Sequence, residues 1–399
     1  MLFGFSLAFS ETGSVFIGDF AYGGLQGIGT AALQNTAPQV PAIAYCLYQM
    51  QFATITPALI FGSVAERIRI LPAMVFIFLW STVVYDPIAY WTWSYRGWIR
   101  NMSCIGSQQP CGIGSYDYAG GGPVHMASGF AGLAYCLILG KRRRVAHDEF
   151  KPHNLTNVFL GTALIWFGWF GFNGGSAVAS TPRAAMAGLV TTIAASAASL
   201  SWMFVDYLRT KKMSGLGFCS GAIAGLVAIT PASGFVAPWA AIVIGASAGV
   251  ACNFACLIKE VFGFDDSLDA WGVHAIGGLL GNILTGMFAD SWVGSFDGAV
   301  INGGWINHNY IQVGYQLAGS AAIATWAFVA SFVLLYVINK IPGLSLRVSE
   351  ESEGLGGDLG EMGEVAYELV PTSTFPNMAS SSKSGKLRME DTSNNTADA

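Results

Sequence analysis

The sequence predicts an all-α polytopic membrane protein, and three observations predict it. Of 399 residues, 53% are hydrophobic and 11% charged, with a mean hydropathy of +0.50; soluble domains average about 25% charged. Apolar runs of about 20 residues, the length that crosses a bilayer as a helix, recur along most of the chain. Glycine, at 50 residues, far exceeds its usual share of ~7%. That suits helices whose backbones approach through small residues, with Ser220-Gly-Ala-Ile-Ala-Gly225 as one such surface.

Taken in order, residues 1–10 are apolar but too short for a span, and no basic region precedes them, so they are neither a span nor a signal peptide. Nine complete spans are expected at about 39–62, 72–92, 123–140, 155–176, 185–207, 215–232, 237–258, 271–289 and 312–338. One set of loops carries Arg67, Arg69, Lys141, Arg142, Arg143, Arg144, Lys151, Arg209, Lys211, Lys212, Lys259, Lys340 and Arg347. The alternate set carries only Arg96, Arg100 and Arg183. Positive charge therefore places the first set and the carboxyl terminus in the cytoplasm, and residues 11–38, 93–122, 177–184 and 290–311 outside. The net charge of −5 is weighted toward the end of the chain, and no basic patch suggests nucleic acid. After Tyr336, residues 339–370 mix acids, glycines and apolar groups, suiting a cytoplasmic regulatory segment; 371–399 is Ser/Thr/Asn-rich, suiting disorder. The expected domains are thus 1–338, 339–370 and 371–399.

Two phrases stand out. Asp117-Tyr-Ala-Gly-Gly-Gly-Pro-Val-His125 and Asp266-Ser-Leu-Asp-Ala-Trp-Gly-Val-His274 each place a histidine eight residues after an aspartate. Lipid cannot solvate an imidazole, so each ring must face a partner, a packed interior or a pore. A single such histidine reads most simply as packing. The duplication, on spans that run in opposite directions, is what an inverted-topology repeat predicts, with one shared site near the midplane. Asp266 and Asp269, and Asp117 as well, suit helix-start capping or backbone bracing. Of seven cysteines, Cys104 and Cys111 share one outer loop, where an oxidising compartment permits a disulfide, and the other five read as apolar packers. Asn101-Met-Ser103 in that loop is a glycosylation sequon.

The first phrase, continuing through Ala127-Ser-Gly-Phe-Ala-Gly132 to Gly140-Lys-Arg-Arg143, closely resembles the signature of the Amt/Mep/Rh ammonium transporter family. Phe61-Gly-Ser-Val-Ala-Glu-Arg-Ile-Arg69, Phe167-Gly-Trp-Phe-Gly-Phe-Asn173, Ser220–Val227 and Trp271-Gly-Val-His274 are similar to further blocks in the same order. Tyr85-Asp-Pro-Ile-Ala-Tyr-Trp-Thr-Trp93 resembles the eukaryotic Amt/Mep branch. The resemblance implies a homotrimer in the plasma membrane, each protomer of eleven spans with its own pore and no cofactor, with cytoplasmic regulators acting on the tail. It implies an outer recruitment site and gate at Trp93, Phe52, Phe172, Ser176 and Tyr48, a twin-histidine pair at His125 and His274, and a structural acid at Asp117. The chain starts where the family's second helix nears its outer end, so the first helix and most of the second are expected to be missing, with poor transport by the chain alone.

The implied chemistry is physically coherent. Ammonium has no anionic handle, and an aromatic face attracts it by ~0.5–2 kcal/mol without holding it fast. Deprotonation lets neutral ammonia cross an apolar pore without the cost of stripping a charge of water, and paired imidazoles can take the proton. Competing readings are a membrane metalloenzyme, which needs a third zinc ligand that neither histidine span supplies; an ammonium sensor, kept open by the long tail; and an Rh-like gas channel for ammonia or carbon dioxide.

Overall fold

The computed structural model describes residues 1–104, 113–143 and 154–364. Cys111 and the segment 371–399 expected to be disordered lie outside them. Nine helices of 15 residues or more occur among the described residues: α1 Ala42–Gly62, α2 Ile70–Trp93, α3 Gly121–Leu139, α4 Leu155–Ala177, α5 Pro182–Thr210, α6 Gly215–Ile229, α7 Pro238–Phe262, α8 Trp271–Phe288 and α9 Ile311–Lys340. Four of them, α4 to α7, start at residues suited to a helix start. Asn154, Thr181 and Ser214 accept from the backbone N–H three residues on, satisfying a helix-start donor, and Pro182 and Pro238 occupy first-turn positions where no N–H is needed.

The helices occupy the nine expected positions, with differences that have physical reasons. Six of them (α2, α3, α4, α5, α7, α9) are long and apolar enough to cross a bilayer. α8, whose end at Phe288 matches the expected 289, joins them only with the segment Ser291–Asp297, toward which the chain bends by 95°. α6 ends at Ile229, three residues before the expected 232, as Thr230–Ser233 turns back under hydrogen bonds such as Ala232 N–H to the Ile229 carbonyl. α1 carries Gln49, Gln51, Thr54 and Thr56 and is not among those six. α5 packs on both α6 and α7, which also pack on each other; a Cβ on Gly221 or Gly225 would come within 2.7 Å or 2.5 Å of the α5 backbone, so the small residues of α6 do set that contact.

α3 and α8 cross at the centre. The straight part of each packs on the opening turn of the other, which is an antiparallel arrangement. Of α3's apolar window 78% is buried, against 11% for the peripheral α4. Both α3 and α8 open in π-helical turns, Gly121–Met126 and Trp271–Ala275; α2 contains a third at Ser81–Tyr85 and α4 a fourth at Phe170–Gly174. Such turns widen the helix by one residue and re-aim side chains.

On the face that carries Arg67, Arg142 and Lys259, the loops are tied together. Arg67 is fully buried and donates to the Ser267 hydroxyl at 2.8 Å and to the Asp265 carbonyl, joining the end of α1 to the start of α8. Residues 341–364 lie on the same face: Arg69 N–H donates to the Leu346 carbonyl, and Arg347 reaches the Leu139 and Lys141 carbonyls and Glu353.

Candidate functional site

The duplicated aspartates do duplicated work. Asp117 accepts from the backbone N–H groups of Gly120, Gly121 and Gly122 at 2.6–2.8 Å; Asp266 accepts from those of Ala270 and Trp271 at 3.1 and 2.7 Å. Each carboxylate thereby supplies the partner that the opening of a π turn lacks, and each turn delivers its histidine to the crossing. Of capping or bracing, the contacts of Asp269 are those of a brace. It sits in the left-handed region at φ 59° and accepts from Lys259 Nζ at 2.6 Å, tying the start of α8 to α7.

His125 and His274 meet at the crossing. Their Nδ1 atoms are 3.2 Å apart and their rings, 5.2 Å between centroids, are inclined by 24°. A hydrogen bond between two Nδ1 atoms requires one ring to carry the hydrogen and the other to lack it. His125 is fully buried and its Nε2 has no hydrogen-bond partner among the described residues. The close crossing depends on two glycines. A Cβ on Gly129 would fall 2.4 Å from the Ala275 nitrogen, and one on Gly278 would fall 2.6 Å from the Gly121 carbonyl.

An aromatic column leads away from the pair. His125 stacks on Trp169 (5.4 Å, 11°) and on Phe172 (5.8 Å, 19°), and these two stack on each other at 4.9 Å. Phe172 meets Phe52 at 4.6 Å, and Phe52 meets Trp93 at 5.6 Å and Tyr48 at 5.0 Å. Trp93 is fixed by its indole N–H, which donates to the Asp117 carbonyl at 3.1 Å. Tyr48 donates to the Phe172 carbonyl at 2.7 Å and lies 2.9 Å from the Ser176 hydroxyl, which itself bonds the same carbonyl. Trp93, Phe52, Phe172, Ser176 and Tyr48 are thus one contiguous group at one end of the column, with the two histidines at the other.

Against this geometry stand three comparisons. The profile of the Ammonium Transporter Family matches residues 1–367. The chain belongs to this family. Ammonium transporter 1 of Schizosaccharomyces pombe is 49% identical over 94% of this chain and 73% of its own length, and ammonium transporter MEP2 of Saccharomyces cerevisiae is 45% identical over 92% and 72%. The crystal structure of Candida albicans Mep2 superposes with a TM-score of 0.80 at 43% identity, covering 88% of this chain and 75% of that one. That of Saccharomyces cerevisiae Mep2 does so at 0.80 and 44%, covering 88% and 76%.

Within this ammonium-transporter fold, two residues join the column that the sequence reading did not single out. Trp169 stacks beside both His125 and Phe172, and Thr230 accepts its indole N–H at 2.9 Å. The signal was present: Trp169 stands three residues before Phe172 in the block Phe167–Asn173, which puts the two on one helix face. Cys104 is disulfide-bonded, whereas Cys46, Cys136, Cys219, Cys252 and Cys256 are free. No three His, Cys, Asp or Glu side chains among the described residues converge as a metal site.

Proposed function

We propose that this chain carries ammonium across a membrane by capturing the cation at Trp93, transferring its proton to the His125–His274 pair, and passing ammonia along that pair. The observation that carries the reading is the 3.2 Å Nδ1–Nδ1 contact at the end of an unbroken aromatic column. The names of the relatives, ammonium transporters, support the substrate.

The steps follow from the side chains. The faces of Trp93 and Phe52 attract a small cation by ~0.5–2 kcal/mol, most where water is excluded, and the Ser176 hydroxyl offers an acceptor to an N–H. Phe52 and Phe172 leave no room for a hydration shell, so the ion must shed water. A bare charge in apolar surroundings is costly; ammonium avoids that cost by giving up a proton, and potassium has none to give. The histidine pair accepts and relays it: the ring that donates its Nδ1–H has a bare Nε2 that takes the proton, the bridging hydrogen passes to the other Nδ1, and that second ring releases the hydrogen on its own Nε2. No covalent bond beyond N–H is made or broken, so the chain is a transporter and not an enzyme.

The assembly proposed is a homotrimer in the plasma membrane, one pore per protomer. The basic face and carboxyl terminus are cytoplasmic, 1–338 forms the transport domain, and 339–370 is a segment on which regulators act. Cys104 pairs with Cys111 on the outer side.

The test is flux into proteoliposomes. Measured against the wild type in the same vesicles, His125→Ala is expected to lower ammonium flux or admit potassium. Uptake and exclusion both unaltered in His125→Ala would sink the proton-relay reading.

A further inference from the structure

Arg183, at the start of α5, is one of three basic residues on the Trp93 side of the bundle, and it is 7% exposed. Its Nε donates to the Gly234 carbonyl at 2.6 Å, and its Nη1 reaches both Asp297 oxygens at 3.2–3.3 Å. The guanidinium carbon lies over two rings, 5.1 Å from the Tyr118 centroid and 4.8 Å from that of Phe235. Tyr118 directly follows Asp117, whose carbonyl holds the Trp93 indole and whose carboxylate holds the turn to Gly122. Tyr118 is itself anchored from behind, its N–H donating to the Pro231 carbonyl at 3.0 Å. The opposite wall is the indole: a Cβ on Gly120 would lie 3.1 Å from the Trp93 ring. The segment Asp117–Gly120 is thus pressed between a buried cation and the aromatic face that meets the substrate.

We propose that Arg183 is a positioning residue for cation capture, holding through Tyr118 the turn that sets the orientation of Trp93. The proposal rests on the capture reading given above. Arginine suits the role because its broad, weakly hydrated head sits against both rings while its N–H groups bond Gly234 and Asp297; a compact ammonium head cannot do all of this at once. The pairing with Asp297 has a second effect. It neutralises a positive charge that would otherwise stand near the mouth and oppose an arriving cation.

The experiment is concentration-dependent methylammonium uptake in a transport-deficient host, with surface protein quantified, for wild type, Arg183→Gln, Arg183→Lys, Tyr118→Leu and Trp93→Leu. Arg183→Gln is expected to raise the half-saturating concentration about threefold to tenfold, the range a weakened cation–ring contact gives, while maximal flux per surface protein is retained. Lysine is expected to rescue only in part, because it restores the charge without the broad head. Tyr118→Leu, which leaves the Arg183–Asp297 pair and the Gly234 bond in place, is expected to copy the rise, and it decides the matter should Arg183→Gln fail to reach the surface. An unchanged half-saturation in Arg183→Gln or Tyr118→Leu, or full rescue by lysine, overturns the proposal. If Trp93→Leu also leaves half-saturation unchanged, the capture reading itself fails; if only Trp93→Leu shifts it, Arg183 is a structural brace.

Discussion

Trp93 owes its place to one hydrogen bond and its proposed function to one ring. Leucine at this position keeps apolar bulk against Phe52 but loses both the indole N–H that meets the Asp117 carbonyl and the negative ring face. Trp93→Leu is therefore expected to leave the helices intact and weaken ammonium capture by about 1 kcal/mol, or several-fold in half-saturation. Uptake at low ammonium concentration measures it, and an unaltered concentration curve would make Trp93 an ordinary residue of the membrane interface. Trp169 has a parallel arrangement deeper in, since Thr230 fixes its indole and its face stacks on His125. Substituting Thr230→Val removes the acceptor while keeping the shape. It leaves a buried N–H unpaired, at a cost of about 1–3 kcal/mol, and selective flux should fall as the stack beside His125 loosens. Flux and potassium exclusion equal to wild type in Thr230→Val would show that His125 does not depend on that stack.

At the level of helices, the crossing of α3 and α8 is the feature on which the site depends. A methyl group at Gly129 would meet the Ala275 nitrogen at 2.4 Å and its Cβ at 2.7 Å, both on the turn that holds His274. Backbone cannot yield as a flexible side chain can, so Gly129→Ala is expected to destabilise by roughly 1–3 kcal/mol and to part the histidines. Gly161→Ala on α4, where a Cβ meets nothing within 4 Å, is the control and should be neutral or slightly stabilising. Thermal unfolding in detergent together with ammonium flux reads both, and equal behaviour of the two variants would refute the account of the crossing. The same contrast shows what the sequence could and could not reveal. Apolar runs gave the positions of the nine helices, and the repeated Asp-to-His spacing pointed to two facing rings, because hydrophobicity and side-chain identity are written in the residues. The π turns are a shift of backbone hydrogen bonds from one carbonyl to the next, which leaves composition unchanged, so nothing in Gly121–Met126 or Phe170–Gly174 announced them. Nor did the sequence distinguish Asp269 from Asp266. Their difference is a φ of 59° and a lysine ten residues away on the preceding helix.

Across the whole molecule, one face is held by charge. Arg142 donates to both oxygens of Asp265 at 2.9 Å through its side chain and to one of them through its backbone N–H at 2.8 Å, and it also reaches Glu66. Arg347 likewise grips Glu353 and two carbonyls at the end of α3. Partial burial alone would raise the Asp265 carboxyl, but the hydrogen bonds and charge of Arg142 outweigh it and bring it from 3.8 to about 2. Glu353 is lowered in the same sense, burial again opposing and Arg347 prevailing. A carboxyl whose folded pKa lies below its unfolded value contributes stability above the unfolded value and loses it as pH falls through the folded one. These ties should therefore be at full strength at neutral pH, and should weaken from about pH 4 to about pH 2 as Asp265 takes up its proton. Because Asp265 adjoins the carboxylate that caps the His274 helix, and Arg67 reaches its carbonyl from α1, loosening here is transmitted to the crossing. Asp265→Asn is expected to lower the melting temperature of the detergent-solubilised protein at pH 7 and to flatten its acid limb, while the wild type loses stability steeply below pH ~4. Parallel melting curves for the two proteins between neutral and acid pH would show that the Arg142 pair contributes nothing to that limb.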